Sequence, residues 1–73
     1  GCTAPAVFNA SNEVAVDLFL KEQISFIQIP DIISNAIQSI PISQSLDLKD
    51  FQNADQEARR FVLEKYNNGV ALC

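Results

Sequence analysis

The 73-residue sequence predicts an all-α fold, a compact bundle of about four short helices, on three observations. Glycine occurs only at positions 1 and 69, and proline only at 5, 30 and 41, so helix breakers are few. No stretch alternates β-branched and polar residues as a half-buried strand would. Apolar residues instead recur at helical spacing between the prolines. Residues 1–73 are expected to form a single helical domain, with no internal repeat or low-complexity tract.

The first helix is expected to open at Thr3-Ala4-Pro5. Thr3 can cap free amides, and Pro5 suits a first turn, where a missing N–H removes no bond. The pattern runs to about Leu20 or Lys21. At about 100° per residue, Val7, Phe8, Val14, Ala15, Leu18 and Phe19 fill one broad arc. Asn9, Glu13, Asp17 and Lys21 make an i, i+4 row opposite.

Pro30 marks the first turn of the second helix. Ile29, Ile32, Ile33, Ala36, Ile37 and Ile40 share one face, and Asp31, Ser34, Asn35, Gln38 and Ser39 the other. Ile40 precedes Pro41 and so leaves the helical region, which ends the element. A linker, PISQS, follows. The remaining stretch predicts a short helical turn from Leu48 to Asn53 and then a longer helix to about Tyr66. Ala58, Phe61 and Val62 are its inward candidates. Asn-Asn-Gly at 67–69 is an ordinary stop, with Gly69 able to turn left-handed. Residues 68–73 are expected to fray.

Bulk properties exclude several functions. Nine acidic residues against five basic ones argue against a nucleic-acid partner, which would need a basic face. No apolar run reaches the ~20 residues of a membrane span, and no basic segment precedes an apolar core as in a signal peptide. With no histidine and no closely spaced cysteine pair, a zinc site is not expected. Cys2 and Cys73 could form one disulfide, but are expected to be unpaired thiols of a reducing compartment. A chain this short buries only about 60% of its unfolded surface and usually needs a staple or a partner. The start at Gly1-Cys2 without methionine suggests a fragment of a larger protein.

The stretch NASNEVAV, Asn9 to Val16, is unusually polar for a helix that packs. Asn9 and Glu13 belong to the outer row. Ser11 and Asn12 lie beside the apolar arc, where a buried amide costs a few kcal/mol unless it is hydrogen-bonded. Asn12 is therefore expected to pair with backbone groups of a loop over the first helix, either the KEQISF link or the SLDLKD turn. The alternative is that Asn9, Asn12 and Glu13 contact something outside the domain. Glu13 and Asp17, one turn apart, could serve as acid and base or hold a metal, although a solvated face ending in Lys21 explains them more simply. Asp55 and Arg59 are spaced for an ion pair. There is no glycine-rich phosphate loop, no histidine for a nucleophilic triad and no activating neighbour for Cys2. No catalytic, cofactor or metal residue is assigned. Asn9, Asn12, Glu13, Asp55 and Arg59 are expected to make structural polar contacts.

Two resemblances bear on function. Gln44-Ser45-Leu46-Asp47-Leu48 is similar to the attachment site of acyl carrier proteins, which would make the chain a free-standing helical carrier bearing phosphopantetheine on Ser45. Gln44, however, stands where that family has Asp, and the serine follows two helices instead of opening the second. The other resemblance covers Gly1 to Arg60. Thr3, Pro5, Ala6, Val7, Asn9, Ala10, Asn12, Glu13, Ala15, Val16, Phe19 and Leu20, then Ile24, Phe26 and Ile29, follow the pattern T-x-P-A-V-L-N-A-A-N-E-x-A-V-x-x-F-L and I-x-F-x-x-I. Ser45-Leu46-Asp47 and the later Ala54, Asp55, Ala58 and Arg59 follow a second pattern. Together these resemble the C-terminal domain of 1-deoxy-D-xylulose 5-phosphate reductoisomerase. Phe8 stands where Leu is usual, and Ile27 where a capping Thr or Ser often occurs.

The resemblance implies a helical domain that supports a larger enzyme without reacting itself. That enzyme would use NADPH and Mg or Mn to make 2-C-methyl-D-erythritol 4-phosphate in non-mevalonate isoprenoid biosynthesis. The family's central S-A-T-x-x-N-K-x-x-E stretch does not occur here. The implied partners are the central catalytic and NADPH-binding domains of the same polypeptide, within a homodimer in bacterial cytoplasm or a plastid.

Overall fold

Thr3 starts the fold in a way its sequence position does not predict. The computed structural model describes residues 2–44 and 47–67. α1 spans Ala4–Leu20 with Pro5 in its first turn. Thr3 occupies the N-cap position, yet its side chain caps nothing. Its backbone is already helical, at φ −83° and ψ 0°, whereas a capping side chain reaches the first amides from extended backbone. Thr3 Oγ1 instead accepts a 2.8 Å hydrogen bond from the Ser43 N–H. The Thr3 N–H donates to the Ser43 carbonyl, also at 2.8 Å. Thr3 is buried, so this reciprocal pair ties the start of α1 to the linker after the second helix.

α1 closes in a Schellman turn. The Glu22 N–H donates to the Phe19 carbonyl and the Gln23 N–H to the Leu18 carbonyl, both at 2.9 Å. Glu22 has φ 61°, a left-handed conformation that costs a residue with a Cβ about 1–2 kcal/mol.

α2 spans Gln28–Ser39. Its N-cap, Ile27, offers no side-chain oxygen, as its departure from the family pattern suggests. Gln28 compensates locally: its Oε1 accepts from the Ser25 N–H at 2.8 Å and from Ser25 Oγ at 3.2 Å. Ile40 is extended at ψ 125° before Pro41, and the helix stops there as expected.

α3 spans Leu48–Tyr66. The short turn and longer helix expected from the sequence are one continuous element, because no glycine or proline interrupts residues 48–66. The described residues therefore form three helices instead of about four. Asp47 caps α3, accepting from the Lys49 N–H at 3.0 Å. Gly69 and the rest of the expected tail, 68–73, lie outside the described residues.

α1 is the central helix. It packs against both others, while α2 and α3 touch each other sparsely. α1 contributes Val7, Ala10, Val14, Ala15 and Leu18 to the core, α2 contributes Ile32 and Ala36, and α3 the row Ala54, Ala58 and Val62. Ile24 seals the link after α1, and Ile40 the end of α2. α3 runs in the same sense as α1, with Asn9 near Asp55 and Glu13 near Arg59. Phe8, expected in the inward arc of α1, is 48% exposed. Phe8 shares the side of α1 that buries Ser11 and Ala15, but it meets α2 at Ile29, Ile33 and Ile37, which are themselves only half-buried. No helix among the described residues is long and apolar enough to cross a membrane.

Candidate functional site

The residues singled out for polar contacts gather on the seam between α1 and α3. The inward row Ala54, Ala58 and Val62 carries the residue after each member to the rim of α3, so Asp55 and Arg59 sit at its edge. Glu13 sits at the edge of α1 beside the buried Val14. Arg59 joins all three. Its Nε donates to Asp55 Oδ1 at 2.6 Å and its Nη2 to Asp55 Oδ2 at 3.5 Å, within one helix. The same Nη2 donates across the seam to Glu13 Oε1 at 3.0 Å.

The hydrogen bonds from Arg59 to Asp55, and next those to Glu13, raise the guanidinium pKa above its ordinary value against the opposing effect of burial. The arginine is thus a permanent cation held between two carboxylates. It has no proton to exchange near neutral pH, so the arrangement is suited to bracing and not to acid–base chemistry. All three side chains remain substantially in water, which limits such a bridge to about 0.2–1 kcal/mol.

Two shallow grooves flank this bridge. Asn9 lines one with Gln52, Asp55 and Gln56. Asn12 lines the other with Val16, Leu20, Arg59 and Leu63. The structure thus brings Asn9, Asn12, Glu13, Asp55 and Arg59 to a single seam, but among the described residues no clamp runs from Asn12 to a loop. The Asn12 side chain is half-buried, with no hydrogen bond to a described residue. The buried polar residue of that stretch is Ser11, whose Oγ donates back to the Val7 carbonyl at 2.7 Å. A hydroxyl can satisfy itself within its own helix in this way.

Glu13 and Asp17 do not act as a pair. Glu13 turns to Arg59, while Asp17 binds Lys21 at 2.9 Å. Among the described residues no group of three acidic, cysteine or histidine side chains converges as a metal site would need. Arg59 is already held by two carboxylates. These residues do not fit a divalent metal.

Two tertiary contacts had no local signal in the sequence. The Asn35 Nδ2 donates to the Tyr66 hydroxyl at 2.6 Å, joining α2 to α3 across 31 positions. The Thr3–Ser43 pair spans 40. A third concavity, about 460 Å³, opens between α1 and α2, with Phe8, Ile29, Pro30, Ile33 and Ile37 as its apolar lining and Ser34 and Gln38 at its edge.

Similarity to known proteins is consistent along the chain. The DXP reductoisomerase C-terminal domain family matches residues 1–61. A 1-deoxy-D-xylulose 5-phosphate reductoisomerase from Leptospira interrogans (serovar copenhageni) is 50% identical over the whole chain, which covers 19% of that relative. The protein of the same name from Rhodospirillum centenum is 45% identical over 88% of the chain and 16% of its own length. That from Clostridium perfringens (strain SM101) is 37% identical over 92% of the chain and 17% of its own length. The chain therefore spans under a fifth of these curated relatives, and no solved structure matches it. With its helices placed and its matched residues covering most of the sequence, the chain belongs to the 1-deoxy-D-xylulose 5-phosphate reductoisomerase family, in the part described as the C-terminal domain.

Proposed function

We propose that this chain is a non-catalytic, load-sharing domain of a larger reductoisomerase. The complete polypeptide would convert 1-deoxy-D-xylulose 5-phosphate to 2-C-methyl-D-erythritol 4-phosphate with NADPH and Mg or Mn. Catalysis, nucleotide binding and metal binding would belong to its other domains, within a homodimer. The observation that carries this reading is the family match over residues 1–61 to a C-terminal domain, in relatives more than five times as long. The local chemistry supports it. Arg59 is engaged with Glu13 and Asp55, Asp17 with Lys21, and Asn35 with Tyr66. The Arg59–Glu13 and Asn35–Tyr66 contacts brace helices against one another, and the role proposed for the α1–α3 seam is to fix the orientation of α1.

The free-standing carrier module considered from Ser45 has no support from the three relatives described above, each of which carries the reductoisomerase name. Ser45 itself lies outside the described residues.

The test compares the 73-residue chain with the complete polypeptide. Each is supplied with 1-deoxy-D-xylulose 5-phosphate, NADPH and Mg, and NADPH consumption is followed by absorbance. Turnover is expected only from the complete polypeptide. Turnover by the chain alone would overturn the non-catalytic assignment.

A further inference from the structure

α2 carries two parallel i, i+4 rows of apolar side chains. Ile32, Ala36 and Ile40 form the first row and are buried in the core. Ile29, Ile33 and Ile37 form the second, one position around the axis, and are only half-buried. This second row and the half-exposed ring of Phe8 make the walls of the groove between α1 and α2. One central helix cannot cover both rows of its neighbour, since each helix presents only a limited stripe to a partner.

No charged side chain lines the groove, although the chain carries a net charge of −4. Its rim is the neutral pair Ser34 and Gln38. A concave apolar surface with a polar rim is the ordinary mark of a protein interface. The α1–α3 groove also exposes Leu20 and Leu63, but Glu13, Asp17 and Arg59 line it. Covering that groove would take charged groups out of water, which opposes binding unless new partners pair them. The α1–α2 groove carries no such cost.

We infer that the groove formed by Phe8, Ile29, Ile33 and Ile37 is the seat for an uncharged, apolar surface from the remainder of the reductoisomerase polypeptide. The inference rests on the proposed function, and it adds which face is covered and by what chemistry. The occupant follows from length. More than four fifths of each matched relative lies outside the matched region, so a covalently linked partner is present at high effective concentration. A mostly apolar seat of this kind gains stability by removing the isoleucine row from water.

Thiol accessibility tests the assignment. Cys2 and Cys73 are replaced by Ser, and Ile33→Cys and Leu63→Cys are made separately, in the 73-residue chain and in the complete polypeptide. Maleimide labelling rates are then measured under native conditions. Ile33→Cys is expected to label about tenfold more slowly or less in the complete polypeptide than in the chain alone, with Leu63→Cys unchanged. If Ile33→Cys disturbs folding by circular dichroism, Phe8→Cys reports on the same groove. Equal rates for the groove thiol in both proteins would overturn the inference, as would slowing at Leu63→Cys alone. Slow labelling of the groove thiol in the isolated chain, with a dimer mass in sedimentation, would overturn it in favour of a second copy. None of these failures touches the proposed function, which turns on where NADPH is consumed.

Discussion

The two seams of α1 are built on opposite principles. Against α3 the contact is made by small side chains, Ala54, Ala58 and Val62, and its open edge is tied by the Arg59 bridge to Glu13. Against α2 the contact pairs one large side chain, Ile32, with a small one, Ala36. Ile32 is fully buried there, while a second isoleucine row stays half open. The first seam pairs its charged groups, Glu13, Asp55 and Arg59, with one another. The second has more apolar surface than the domain can cover. A small chain with a thin stability margin would gain most from a partner at the seam that is incomplete.

Adjacent substitutions on α2 should separate the buried row from the open one. Ile32→Ala removes a fully buried side chain and should cost about 2–5 kcal/mol, enough to unfold much of the isolated chain. Ile33→Ala should cost less than about 1 kcal/mol in the same chain. Urea denaturation followed by circular dichroism checks both, and equal losses would erase the distinction between the rows. On the α3 side the expected weakness is overpacking. Ala58 is fully buried, so Ala58→Leu should cost about 1–3 kcal/mol by forcing α1 and α3 apart. A neutral result would mean that the small-residue seam has spare volume.

Smaller effects concern the polar ties. Tyr66→Phe removes the acceptor of the 2.6 Å bond from Asn35 and should lower stability by about 0.5–1.5 kcal/mol, with an unchanged denaturant slope. Glu13→Gln should cost about 0.5 kcal/mol at low salt and less at high salt, because the bridge is exposed and screened. Arg59 also fixes the sign of the pH response. Its pKa is raised on folding, so its contribution is fully present below the ordinary arginine value and fades only as pH rises through the folded one. The stability difference between the native chain and Arg59→Gln should therefore not shrink between neutral and mildly alkaline pH, as thermal melts across that range would show.

The helices were legible because their signals are local. Pro5, Pro30 and Pro41 fall at element boundaries as the sequence suggests, and the unbroken run from Leu48 argues for one helix as soon as the absence of glycine is given its weight. The Asp55–Arg59 pair was legible for the same reason, since four positions on a helix bring side chains together. Its extension to Glu13 was not, because 46 positions separate the partners and only the packing of α1 on α3 unites them. The choice between Ser11 and Asn12 as the buried polar residue turned on a rotation of about 100°, finer than an apolar arc read from sequence resolves. Thr3 misled for a related reason: it is a good capping residue whose oxygen is taken by a loop 40 positions away.

A structural role and a catalytic one separate most directly in the complete polypeptide carrying Ile32→Ala, with its melting temperature and its turnover at low temperature measured side by side. A domain that only holds shape predicts a lower melting temperature with turnover per folded molecule retained. An unchanged melting temperature with turnover lost would contradict it.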